Sequence, residues 1–293
     1  QWKAINIDGP EDVPLVKLEK GNVFNCSPEI DEDFDYSSWN IAENNTSCLP
    51  NKLFDEFIWY KTEFTGSFEY LEINAKHCYA IYLNGKQVFE YDTIYGETEE
   101  NVVVHIKGEL FKHHNNQLTV LVQNLGFDKG FSNDPNLPRG LIEFKTYPEK
   151  DFEWHVRDKV TPEIEEWDFQ SVDNLEHASK NHYLEYFTTE FKIEKKPDTY
   201  APMYVSLTDT EIQKASIYLN GKKIGRFWPE KSPQKKFYLI ESFLKENNRL
   251  SLVIWNKKDN KQHLKDYKFD SNNVNINISN FNVYRTFDLE SLF

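Results

Sequence analysis

The chain has 293 residues, 15% of them aromatic, which leaves room for one large or two ordinary domains and is too rich in rings for a disordered chain. Lys+Arg number 34 against 48 Asp+Glu, and the net charge of −14 repels phosphate backbones and argues against nucleic acid as a partner. No apolar run reaches the ~20 residues of a membrane helix, so no membrane span is expected, and the 11 glycines form no phosphate-binding loop.

In chain order, the start at Gln1, without Met or a signal-peptide pattern, reads as a mature, trimmed or excised polypeptide. Cys26 and Cys48 sit in irregular, Pro-flanked sequence, as a disulfide worth about 3 kcal/mol or as separate thiols. Cys78 falls in a strand-like run and reads as a buried thiol. Sequons occur at Asn25, Asn44, Asn45 and Asn277, no more than composition gives by chance. They permit a secreted, extracellular or cell-surface location, with a lumenal one as the alternative. The acidic runs Glu29–Asp33 and Glu163–Glu166 read as solvated loops. The adjacent His113 and His114 would point apart on a strand and lack an acidic partner at ligand spacing, so they read as a surface loop, and neither a metal nor another cofactor is expected.

A repeated order of motifs organises the chain. Tyr60-Lys-Thr-Glu-Phe64, Ile81-Tyr-Leu-Asn-Gly-Lys86 and Asn115-Asn-Gln-Leu-Thr-Val-Leu-Val122 return as Phe187-Thr-Thr-Glu-Phe191, Ile217-Tyr-Leu-Asn-Gly-Lys222 and Asn247-Asn-Arg-Leu-Ser-Leu-Val-Ile254. Thr-Glu-Phe alternates as a half-buried strand does. Asn-Gly suits a type I′ hairpin turn, and Leu118–Val122 suits a strand buried on both faces. Glu241–Glu246 carries signal for one or two helical turns, and Val274–Ser279 alternates as a strand with one wet face. Trp59, Trp154 and Trp255 read as core. The pattern predicts an all-β chain of two tandem antiparallel β-sandwich domains of jelly-roll type, residues 1–148 with an N-terminal extension and 149–293, linked near Tyr147–Asp151.

Ile217–Pro229, then Ser232-Pro-Gln234, Phe237-Tyr-Leu239 and Ser242–Lys245, resembles the C-terminal jelly roll of glycoside hydrolase family 35 β-galactosidases. Leu121–Gly126 followed by Arg139-Gly-Leu141 resembles the preceding galactose-binding-like jelly roll, as do Asp35–Trp39 and Phe57–Tyr60. Ser232 stands where that family has Gly, and Ile240 where Pro is common. The resemblance implies a non-catalytic portion that supports a catalytic (β/α)8 barrel and contacts galactosides. No stretch alternates helix and strand over the ~250 residues of such a barrel, so no catalytic residue carries over.

Sugar binding is the chemistry left to such a fold, since rings stack on pyranose faces while amides and charged groups bond hydroxyls. The first candidate site is the loop carrying Asp128, Lys129, Phe131 and Asn133 together with Arg139. The second is Arg226 with Trp228. Against each stands a packing role: a loop held against another domain or the barrel, and a Trp sealing a seam beside a paired Arg. A standalone carbohydrate-binding or cell-surface module, as monomer or oligomer, is the alternative function, and an independent enzyme the third.

Overall fold

Asn84 and Gly85 adopt φ of 50° and 75°, and Asn220 and Gly221 adopt 50° and 74°. These are the left-handed pairs that close a two-residue type I′ turn, where Asn and Gly pay least for positive φ. The computed structural model describes residues 18, 21–42, 56–92, 101–126, 139–176, 178–181, 183–193, 203–207, 212–255 and the strand at 274–278.

Within the described residues the strands are β1 (Asn22–Asn25), β2 (Asn40–Ile41), β3 (Phe57–Phe64), β4 (Tyr70–Lys76), β5 (Cys78–Leu83), β6 (Lys86–Tyr91), β7 (Val102–His105), β8 (Asn116–Gln123) and β9 (Gly140–Tyr147). They continue with β10 (His155–Asp158), β11 (Leu184–Lys192), β12 (Met203–Leu207), β13 (Lys214–Leu219), β14 (Lys222–Phe227), β15 (Lys236–Leu239), β16 (Asn247–Trp255) and β17 (Val274–Ile278). One short helix, α1, spans Thr161–Ile164. The rest of the helical structure is single 3-10 turns. One of these, Glu241–Phe243, is what the helical signal at 241–246 becomes.

Every strand pair is antiparallel, and the chain forms two β-sandwiches. In the first, the sheet β2-β10-β3-β8-β5-β6 faces β7-β4-β9. Ile58, Tyr60, Ile81 and Val120 from one sheet interdigitate with Leu71, Ile73, Leu141 and Phe144 from the other. In the second, β1-β11-β16-β13-β14 faces β15-β12-β17. Phe187, Ile217, Leu250 and Leu252 pack there against Met203, Val205, Phe237 and Leu239. Both hairpins carry a register shift at the same step, between Ile81 and Tyr82 and between Ile217 and Tyr218. Trp59, Trp154 and Trp255 are at most 1% exposed, in the interior as expected.

By contacts, the first compact unit comprises 27–164 with 178–181, and the second takes the remaining described residues. β10 pairs with β3 along its whole length, whereas β1 pairs with β11. The Thr-Glu-Phe triplets alternate as expected, with Glu63 exposed and Glu190 half-buried between buried neighbours, while the preceding residues of both strands are buried on both faces. In β3 only Glu63 is exposed, because residues 27–41 lie over the face opposite the core.

Candidate functional site

Asp128, Lys129, Phe131 and Asn133 lie outside the described residues; the two ends of their loop do not. At the first end Gly126 turns with φ +104° and its N–H donates to Asn124 Oδ1 at 3.0 Å, while Leu125 N–H donates to His77 Nδ1 at 3.0 Å. At the second, Arg139 is half-buried and Gly140 follows with φ +76°. A Cβ on Gly140 would lie 2.1 Å from Tyr60 Oη, which already accepts the Leu141 N–H at 3.1 Å. The loop thus returns to a fixed point in the core, at a site only glycine fits.

Arg226 is half-buried on β14, and Trp228 is 7% exposed. The Lys214 ammonium lies 5.2 Å from the Trp228 ring centroid and 3.8 Å from that of Trp255. A ring enclosed in this way offers no open face for a pyranose. Cys26 and Cys78 are both fully buried, and Cys48, the other half of the expected bridge, is outside the described residues. Of the sequon asparagines, Asn25 is 8% exposed at the end of β1, Asn277 lies in β17, and Asn44 and Asn45 are not described.

The acidic run at 29–33 is not a solvated loop throughout. Glu29 is fully buried. Its Oε1 accepts from Thr161 Oγ1 at 2.8 Å and from the Arg157 guanidinium on β10, and its Oε2 has no hydrogen-bond partner among the described residues. Removal from water pushes the carboxyl up to about 7 although Arg157 opposes the rise, because desolvation outweighs the pairing. Lys61, fully buried on β3, donates to the carbonyls of Glu29 and Asp31, each at 2.9 Å. Desolvation lowers its ammonium to about 8. The two cations sit under aromatic rings: Lys61 is 5.8 Å from Phe34 and 5.6 Å from Tyr36, and Arg157 is 4.9 Å from Trp39. Lys-Thr-Glu alternation gave no sign of this, because a lysine beside a glutamate reads as surface.

The second sandwich has a comparable covering turn at Trp167–Phe169. Arg249 on β16 donates to the carbonyls of Trp167, at 2.8 Å, and Gln170, and pairs with Glu190. Asp168 Oδ1 accepts from Tyr186 Oη at 2.9 Å and from Ser251 Oγ. Burial raises the Asp168 carboxyl and, with Asp168 beside it, the Tyr186 phenol. Beside this cluster opens a cavity of about 210 Å3, lined among others by Phe169, Glu190, Lys192, Lys245, Asn247 and Arg249. Of its carboxylates among the described residues, Asp168 accepts through Oδ1 from Ser251 Oγ, and Glu190 pairs through Oε1 with Arg249. Among the described residues no group of three His, Cys, Asp or Glu is placed to hold a metal ion, and no helix is long and apolar enough to cross a membrane.

Residues 147–260, which contain β10 to β16, match the family model described as the β-galactosidase second all-beta domain. The chain carries a β-galactosidase-related all-β domain. It is 21% identical over 84% of its length to probable β-galactosidase C of Aspergillus niger, and 23% identical over 85% to that of Neosartorya fischeri. It spans only 30% and 31% of those proteins. Among solved structures, a Bacteroides uniformis β-glucuronidase aligns over 82% of this chain and 27% of its own, at 17% identity and a TM-score of 0.31.

Proposed function

We propose that this chain is the non-catalytic part of a β-galactosidase-like glycosidase of the family 35 type, two jelly-roll lobes that brace a (β/α)8 barrel and contact galactosides. The observation that carries this reading is the match of the second sandwich to the β-galactosidase all-β domain. The repeat extends it to the first sandwich, which shares the hairpin turn and its register shift. The setting is extracellular or cell-surface, with Asn44, Asn45 and Asn277 as the sequons to examine. Peptide mapping and intact mass of the native polypeptide test the reading. Barrel peptides on the same polypeptide are expected, and a gene product that begins at or just before Gln1 would overturn it.

A further inference from the structure

Among the described residues, the lining of the cavity beside Arg249 comes from the second sandwich. Phe169 stands on its rim with 64% of its surface exposed, so its ring is open to a ligand. The ring is held over the hairpin turn: a Cβ on Gly221 would come within 2.6 Å of it. Around the opening, Lys192, Lys245 and Asn247 are exposed, and no hydrogen bond engages their side-chain donors among the described residues. Glu190 Oε1 is held by Arg249, and its side chain remains 47% exposed.

The first sandwich closes the same place. Lys112, which makes the backbone bond there that Lys245 makes in the second, is bridged by Glu32 from the covering segment. Gln117 and Glu63, at the repeat positions of Arg249 and Glu190, are hydrogen bonded to each other at 2.8 Å. The second sandwich has no such bridge over Lys245 among the described residues, and a cavity is left.

We infer that this cavity binds a single neutral pyranose unit, its apolar face on the Phe169 ring and its hydroxyls bonded by Glu190, Asn247, Lys192 and Lys245. The chemistry matches group by group. A ring with an exposed face takes the C–H side of a sugar, a carboxylate accepts hydroxyl protons, and ammonium and amide groups donate to hydroxyl oxygens. The size matches as well, since about 210 Å3 is below the ~300–1,000 Å3 of pockets for larger ligands and suits one ring rather than a chain. The inference rests on the reading that these sandwiches contact carbohydrate, and it draws on other residues than Asp128, Lys129, Phe131, Asn133 and Trp228.

Titration of the full chain with methyl β-galactopyranoside, methyl β-glucopyranoside and methyl α-mannopyranoside, followed by calorimetry, tests it. Saturable binding of at least one is expected, weakened about tenfold by Phe169→Ala through loss of the stacking surface. Asn247→Ala provides a second variant, and both are surface changes whose circular dichroism and melting temperature should match the parent. Absence of saturable binding for all three sugars, or affinity unchanged in both variants, overturns the inference. A barrel found on the native polypeptide without sugar binding would sink this site alone. Sugar binding by a gene product that starts at Gln1 would sink the bracing role alone.

Discussion

In the first sandwich Asn84 Nδ2 donates to Leu110 O and Asn116 Oδ1, and its own Oδ1 accepts the Gln117 N–H. In the second, Asn220 Nδ2 donates to Phe243 O and Asn248 Oδ1, and its Oδ1 accepts the Arg249 N–H. Atom for atom the turn is locked the same way. The covering turns are not. In the first sandwich Lys61 on β3 reaches the carbonyls of Glu29 and Asp31. In the second, the residue at the repeat position of Lys61 is Thr188, and the carbonyls of Trp167 and Gln170 are taken by Arg249, which stands one strand over on β16. Backbone geometry that only Asn-Gly satisfies is retained residue for residue. A buried carbonyl needs only a donor within reach, so there the interaction is retained and the position is free to move.

The largest expected effect tests that equivalence. Lys61→Met and Arg249→Met should each cost about 3 kcal/mol of unfolding free energy, because each strands two buried carbonyls and, for Arg249, the Glu190 partner. Urea unfolding measures both, and a silent Arg249→Met beside a damaging Lys61→Met would end the parallel between the covering turns. A smaller effect isolates the turns. Gly85→Ala and Gly221→Ala meet the same positive φ, so each should cost about 1 kcal/mol. Only at Gly221 does the new methyl meet a ring, since the nearest atom to a Cβ on Gly85 is Ile30 O at 3.6 Å. Phe169 should therefore shift in the Gly221 variant alone, seen as changed NMR resonances of its ring, and equal spectral change in both would break the distinction.

A further effect is a slope against pH rather than a single loss. Glu29 in the folded chain titrates at about 7 against an ordinary 4.5, so between those values the folded chain holds a proton that the unfolded chain has lost. The contribution of Glu29 is full below the lower value and fades as pH rises to the upper one. Lys61, lowered to about 8, acts in the opposite sense from there upward, because the unfolded chain then binds the extra proton. Urea midpoints at about pH 5 and about pH 7.5 should fall less steeply in Glu29→Gln than in the parent. Parallel slopes would refute the assignment.

How much was legible follows from the range of each interaction. The Asn-Gly turns and the strands that flank them are local in sequence, and both hairpins form where the residues predicted. The pairing of β1 with β11 and of β10 with β3 joins distant segments, and no period in the chain announces either. In sequence Glu29 looks solvated like its acidic neighbours, yet Thr161 and Arg157, which bury it, lie more than a hundred residues away. The cavity was missed for a related reason: Phe169 sits in a polar stretch without strand alternation, and its setting depends on Gly221 and Arg249 in other parts of the fold.

The Asn-Gly turns carry a chemical consequence. Asparagine before glycine is the dipeptide most prone to ageing, by attack of the glycine nitrogen on the side-chain carbonyl carbon to give a cyclic imide and then isoaspartate. That attack requires the asparagine side chain to swing toward its own backbone. Asn84 and Asn220 have both ends of the amide tethered elsewhere, so the contacts that shape the two hairpins also protect them from slow covalent decay.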